Sequence, residues 1–143
     1  MKKILTVAGL TLLLTSCATP PVKSNFDNSL VVNGSYDATW EKIVGFFASR
    51  NIPLKNIAKD SGVIYAESMS FDNEFADCGS FPLMTIQQRI MSVNVFVQRK
   101  ETSQLVRANT TFREMLVGPY NTMKSVQCQS KGVVEKMVLE AVR

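Results

Sequence analysis

Between Arg89 and Gln98 the chain alternates: Met91, Val93, Val95 and Val97 fall on one side, Ser92, Asn94 and Gln98 on the other. A period of two sends successive side chains to opposite faces, so this pattern specifies a strand with one buried and one wetted face. Leu105 to Arg113 repeats it beyond a polar turn at Arg99 to Ser103, with Val106, Ala108 and Phe112 on one side and Arg107, Asn109, Thr111 and Arg113 on the other. Two such strands joined by a short turn form an antiparallel hairpin. A slip of one residue would turn every valine to water, so the register is strongly specified. The rest of the chain has to cover that apolar face.

Two segments have the period to do so. Ser35 can cap a helix whose apolar residues Tyr36, Trp40, Ile43, Val44 and Phe47 form one stripe, with Asp37, Glu41, Lys42 and Ser49 opposite. Asn51 can take a left-handed stop, and Pro53 bars continuation. Ser130 can cap a second helix carrying Val134, Met137, Val138 and Ala141, with Arg143 at its end. Leu30 to Val32, before Asn33-Gly34, reads as a short strand. Ile52 to Ile57 and Val63 to Met69 read as a hairpin turned at Lys59 to Gly62. The expected fold is a two-layer α+β domain: an antiparallel sheet of about four or five strands, covered on one face by an N-terminal and a C-terminal helix. A chain of 143 residues, 45% apolar and 20% charged, has the size and composition of one such domain.

The first residues belong to another kind of segment. Met1-Lys2-Lys3 is followed by an apolar run from Ile4 to Leu14, too short to span a bilayer, which ends in Leu14-Thr15-Ser16-Cys17. This order of charge, apolar run, small residue and cysteine resembles the bacterial lipoprotein precursors. The resemblance implies a signal peptide over 1–16, diacylglyceryl transfer to Cys17, cleavage before it and acylation, commonly with palmitate, of the new amine. Several acyl chains hold a protein stably in a membrane where one holds it marginally. Ala18 in place of an aspartate implies sorting to the outer membrane, on its periplasmic face, ahead of the inner membrane or the cell surface. Residues 17–29, with Pro20, Pro21, Lys23, Ser24, Asn25 and Asn28, lack periodicity and read as a flexible tether. The folded domain is expected over 30–143. Without Lys2 and Lys3 the basic count falls to 14 against 12 acidic residues, a net charge of about +2.

Export changes the reading of the other two cysteines. In an oxidising compartment Cys78 and Cys128 most simply form a disulfide; two buried thiols, or redox or metal chemistry, are the alternatives. Their spacing is far from Cys-x-x-Cys.

The chain has no histidine, which removes Ser-His-Asp and Cys-His catalysis and every imidazole ligand. No basic run interleaved with aromatics suggests nucleic acid. Asp72, Glu74 and Asp77 form the one tight carboxylate group, open to a calcium reading or to a solvated loop over Phe71, Phe75 and Phe81. The loop Ser70 to Gln88 is long enough to offer a contact surface. The outward row Arg107, Asn109, Thr111 and Arg113, with Asn94 and Gln98, could engage a carboxylate, a phosphate or a glycan, or form a plain solvated face. Gly118 to Asn121 reads as a turn and nothing more.

A short strand, Ser35-Tyr36-Asp37-Ala38-Thr39-Trp40, a helix and Asp60-Ser61-Gly62-Val63-Ile64 on a hairpin resemble, over residues 30 to 70, helix-grip envelope lipoprotein domains such as the C subunit of the outer-membrane barrel assembly machinery. The resemblance is too short to carry over membership of that machine. The expected function is a non-enzymatic, membrane-anchored subunit that binds an envelope protein, with no cofactor and no metal. The alternative is a small-ligand or lipid carrier with a pocket between helix and sheet lined by Met91, Val93, Val95, Phe112 and the apolar stripe of the first helix.

Overall fold

The computed structural model describes residues 17–143, and the expected signal peptide lies outside them. The elements are β1 (Ser29–Asn33), α1 (Tyr36–Ser49), β2 (Leu54–Ala58), β3 (Val63–Met69), β4 (Ala76–Asp77), β5 (Thr85–Arg99), β6 (Ser103–Val117), a single 3-10 turn (Pro119–Asn121), β7 (Met123–Ser130) and α2 (Val133–Ala141). They build an antiparallel sheet of seven strands in the order β2-β3-β5-β6-β7-β4, with β1 also paired to β6. The α+β class is as expected, but four or five strands is a correction. β4 is two residues long and has no pattern to read, and β7 turns only Val126 and Cys128 into the core.

The central hairpin is longer than its valine run. β5 and β6 each reach 15 residues and stay in register from Arg99↔Gln104 to Thr85↔Val117, apart from one irregularity between Ile86 and Gln88. The alternation is hidden at the ends because the inward positions Gln104 and Glu114 are polar yet buried.

Helix α1 begins where the side chain of Ser35 accepts the Ala38 N–H at 3.2 Å. It stops at Asn51, whose φ of 52° sends the chain back so that the Asn51 and Ile52 N–H groups reach the Ala48 and Phe47 carbonyls. Tyr36, Trp40, Ile43 and Phe47 are buried. Helix α2 begins after Gly132, not at Ser130. Gly132 takes φ 80°, and a Cβ there would lie 2.4 Å from the Phe26 ring. Ser130 instead ends β7, bonding the Gly132 N–H and the Glu135 carboxylate at 3.0 Å each. The Lys42 ammonium donates to the Arg143 carbonyl at 2.9 Å and holds the end of α2 against α1.

Both helices pack on the valine face of the sheet. Ile64, Ala66, Met91, Val93, Val95, Val97, Val106, Ala108 and Phe112 form one buried cluster with Trp40, Phe47, Val134, Val138 and Val142. Fully burying each of the valine, isoleucine, methionine and phenylalanine side chains contributes about 1.5 to 3 kcal/mol. The residues expected to line a carrier's pocket are therefore packed in this core.

The segment expected to be a tether is laid along the domain. Thr19 exchanges two backbone hydrogen bonds with Ser80 (3.1 and 2.9 Å), the Val22 N–H donates to Asp77 Oδ2 (2.9 Å), and Asn28 Nδ2 donates to Asn109 Oδ1 (2.9 Å). The carboxylate of Asp77 also accepts the Gly79 N–H. These two backbone donors hold its pKa below the usual carboxylate value.

Candidate functional site

Among the described residues no helix packs on the second face of the sheet, and Arg107, Asn109, Thr111 and Arg113 are all exposed on it. The register sets their neighbours. Tyr65, Asn94 and Asn109 lie in line across β3, β5 and β6, Phe96 lies opposite Arg107, and Ile90, Arg113 and Gln127 form a further row. Ser92 and Thr111 join through their hydroxyls. Tyr65, Glu67, Ile90, Ser92, Thr111, Arg113 and Gln127 line a groove of about 190 Å³. Glu67 and Gln127 were not singled out from the sequence, although the outward period of Val63, Tyr65 and Glu67 on β3 was there to read.

A larger hollow opens at the edge of β6. Strand β1 pairs with Ser103 to Arg107 and β7 with Phe112 to Val117, so among the described residues no strand is registered with Asn109 to Thr111 on that side. The hollow, about 740 Å³, is lined by residues 23–28, Asn109, Thr110, Gln127 to Ser130 and Glu135. Glu135 is only 2% exposed, and its carboxylate is held by the Thr110 and Ser130 hydroxyls. Sequence reasoning missed Glu135, because a glutamate in the first turn of a helix ordinarily faces water.

The carboxylates of the 70–88 segment do not converge. Asp72 and Glu74 are exposed, while Asp77 is bonded to the backbone of Val22 and Gly79. Phe71 enters the core edge-to-face on Phe112, with ring centres 5.0 Å apart, and Phe81 lies beneath the Lys124 ammonium. The segment is also shorter as a loop than expected, since it contains β4 and gives way to β5 at Thr85.

Cys78 and Cys128 are joined by a disulfide. It continues the β4–β7 ladder of Ala76↔Ser130 and Asp77↔Gln129 by one position, with Cys128 inside β7. Glu114 lies against the bridge, with a carboxylate oxygen within 4.8 Å of both sulfurs, and is bound by Arg89 at 2.8 Å. Arg89 reaches on to Asn73 Oδ1 at 2.6 Å. With both sulfurs in a covalent bond, this cluster offers one carboxylate and no thiolate.

Cys17, at the start of the described residues, is exposed and unbridged. Residues 1–18 match the family model of the prokaryotic membrane lipoprotein lipid attachment site. The chain is a bacterial lipoprotein precursor. The lipoprotein is thus anchored to a membrane through Cys17. No curated protein matches it. That comparison lends no support to the likeness of residues 30 to 70 to helix-grip envelope domains.

Proposed function

We propose that the lipoprotein is a non-enzymatic accessory subunit that holds another envelope protein on its open sheet face, at the periplasmic side of the outer membrane. The observation that carries this reading is the uncovered row Arg107, Asn109, Thr111 and Arg113, flanked by the part-exposed Phe96 (39%) and Val31 (54%). Arginine and aromatic side chains set among neutral polar groups make up the ordinary chemistry of a protein interface. The two buried carboxylates that could have served as acids, Glu114 and Glu135, are held by Arg89 and by two hydroxyls. Anchoring through Cys17 raises the local concentration, so a modest interface suffices. Ala18 is what favours the outer membrane.

The test is a photo-crosslinking residue in place of Asn109 in living cells. A discrete adduct to one protein is expected, and it should vanish in the R107E/R113E background, whose melting temperature should match the parent because both side chains are exposed. No discrete adduct, or one indifferent to the charge reversal, would sink the reading.

A further inference from the structure

We infer that the end of the sheet formed by residues 81–86 and 118–123 is a membrane-docking tip, which inserts apolar side chains into the lipid surface that carries the anchor. The two loops adjoin: Thr85 pairs with Val117, Val117 pairs with Met123, and a Cβ on Gly118 would lie 3.2 Å from the end of Met84. Leu83 is 83% exposed, Tyr120 100%, Met123 69% and Ile86 50%, so large apolar side chains gather where the fold gives them nothing to cover. Two of them stand on backbone that side chains avoid, with φ of 65° at Leu83 and 58° at Tyr120. Beside them the Lys124 ammonium sits 4.0 Å over the Phe81 ring, a cation above an apolar body as at a lipid interface.

The path of the anchor identifies the occupant. Thr19 is fixed to Ser80 by two backbone hydrogen bonds. Gly79 permits that contact, since at φ 73° its missing Cβ leaves room for the Thr19 carbonyl, 2.2 Å from where the Cβ would be. Cys17 is two residues before Thr19, so its Cα lies within about 7 Å of that of Thr19, which is paired to Ser80, the neighbour of Phe81. Acyl chains on the Cys17 sulfur enter the bilayer beside Leu83. The lipid surface then lies against this end of the sheet, and the exposed apolar side chains meet acyl chains instead of water.

The experiment uses the mature lipidated protein in vesicles of phosphatidylethanolamine and phosphatidylglycerol, with and without brominated acyl chains. Tyr120→Trp places a reporter at the tip and Val31→Trp one at the far end of β6; native Trp40, 5% exposed, contributes the same background to both. Bromine should quench the tip reporter at least about twofold more than the distal one, and its emission should shift to the blue. Met123→Trp is a second tip reporter should Tyr120→Trp fold poorly. Equal quenching of the two ends, or a tip reporter with the emission of a fully hydrated indole, would overturn the inference. Neither result depends on whether the open face binds a protein.

Discussion

Removing the Cys78–Cys128 bridge should do more than lower stability, because three features rest on it in series. The bridge closes a loop of 50 residues, which in the chain-entropy picture is worth about 4 kcal/mol. For a domain of about a hundred residues each kcal/mol moves Tm by about 4 °C, so a C78A/C128A variant should melt about 15 °C lower. Locally, β4 consists of two residue pairs and loses the covalent one beside them. The carboxylate of Asp77, which holds Val22, and the backbone of Ser80, which holds Thr19, are both carried by this short segment. Hydrogen exchange read by mass spectrometry should therefore show residues 18–24 exchanging faster in the variant, while the core of β5 and β6 is slowed or quickened only with global stability. The assay pairs thermal unfolding by circular dichroism with that exchange map. A fall in Tm below about 5 °C would refute the loop-closure estimate. Unchanged exchange over residues 18–24 would refute the dependence of the docked segment on the bridge.

Two further outcomes follow from single contacts. Arg89→Ala strands Glu114, which is 5% exposed in its side chain, and breaking a buried pair from one side costs about 3 to 5 kcal/mol; urea unfolding should show it, and R89M/E114L should recover most of the loss. Asp77 has its pKa depressed by the Val22 and Gly79 N–H groups, so its contribution is complete above the ordinary carboxylate pKa and disappears as pH falls through the lower folded value. Asp77→Ala should loosen the chain around Val22 at neutral pH for about 1 kcal/mol, the site being solvent-screened, and acidification of the parent should reproduce the loosening; exchange rates at Val22 insensitive to both would count against it.

The parts legible in the sequence were those whose apolar spacing repeats. Met91 to Val97 and Val106 to Phe112 declared their faces, and the α1 stripe from Tyr36 to Phe47 declared its own, because burial of a whole row selects one period. The exposed row from Arg107 to Arg113 came with them, as the complement of the same alternation. What was hidden depended on partners distant in sequence. Glu114 is buried because Arg89, across the β5–β6 ladder, neutralises it, and Glu135 because Thr110 and Ser130 donate to it. Residues 17–29 have no periodicity, yet they are held through the backbone of Thr19 and Val22, a kind of contact that leaves no trace in side-chain pattern.

The same geometry relates the two surfaces. Along β6 the chain rises about 3.3 Å per residue, so Arg113, four residues before Val117, stands about 13 Å from the tip, and Arg107 about 33 Å. With the tip in the lipid surface, the outward row runs up from the membrane, and the open face is presented sideways. A partner bound there is one that itself extends beyond the headgroups, whereas a free tether of thirteen residues would let the face point anywhere. Pinning Thr19 to Ser80 therefore acts on orientation as much as on distance. Charge reversal at Arg107 and Arg113 should weaken partner binding wherever the anchor is, while loosening the segment that carries Ser80 through C78A/C128A should weaken it only when partner and lipoprotein share a membrane.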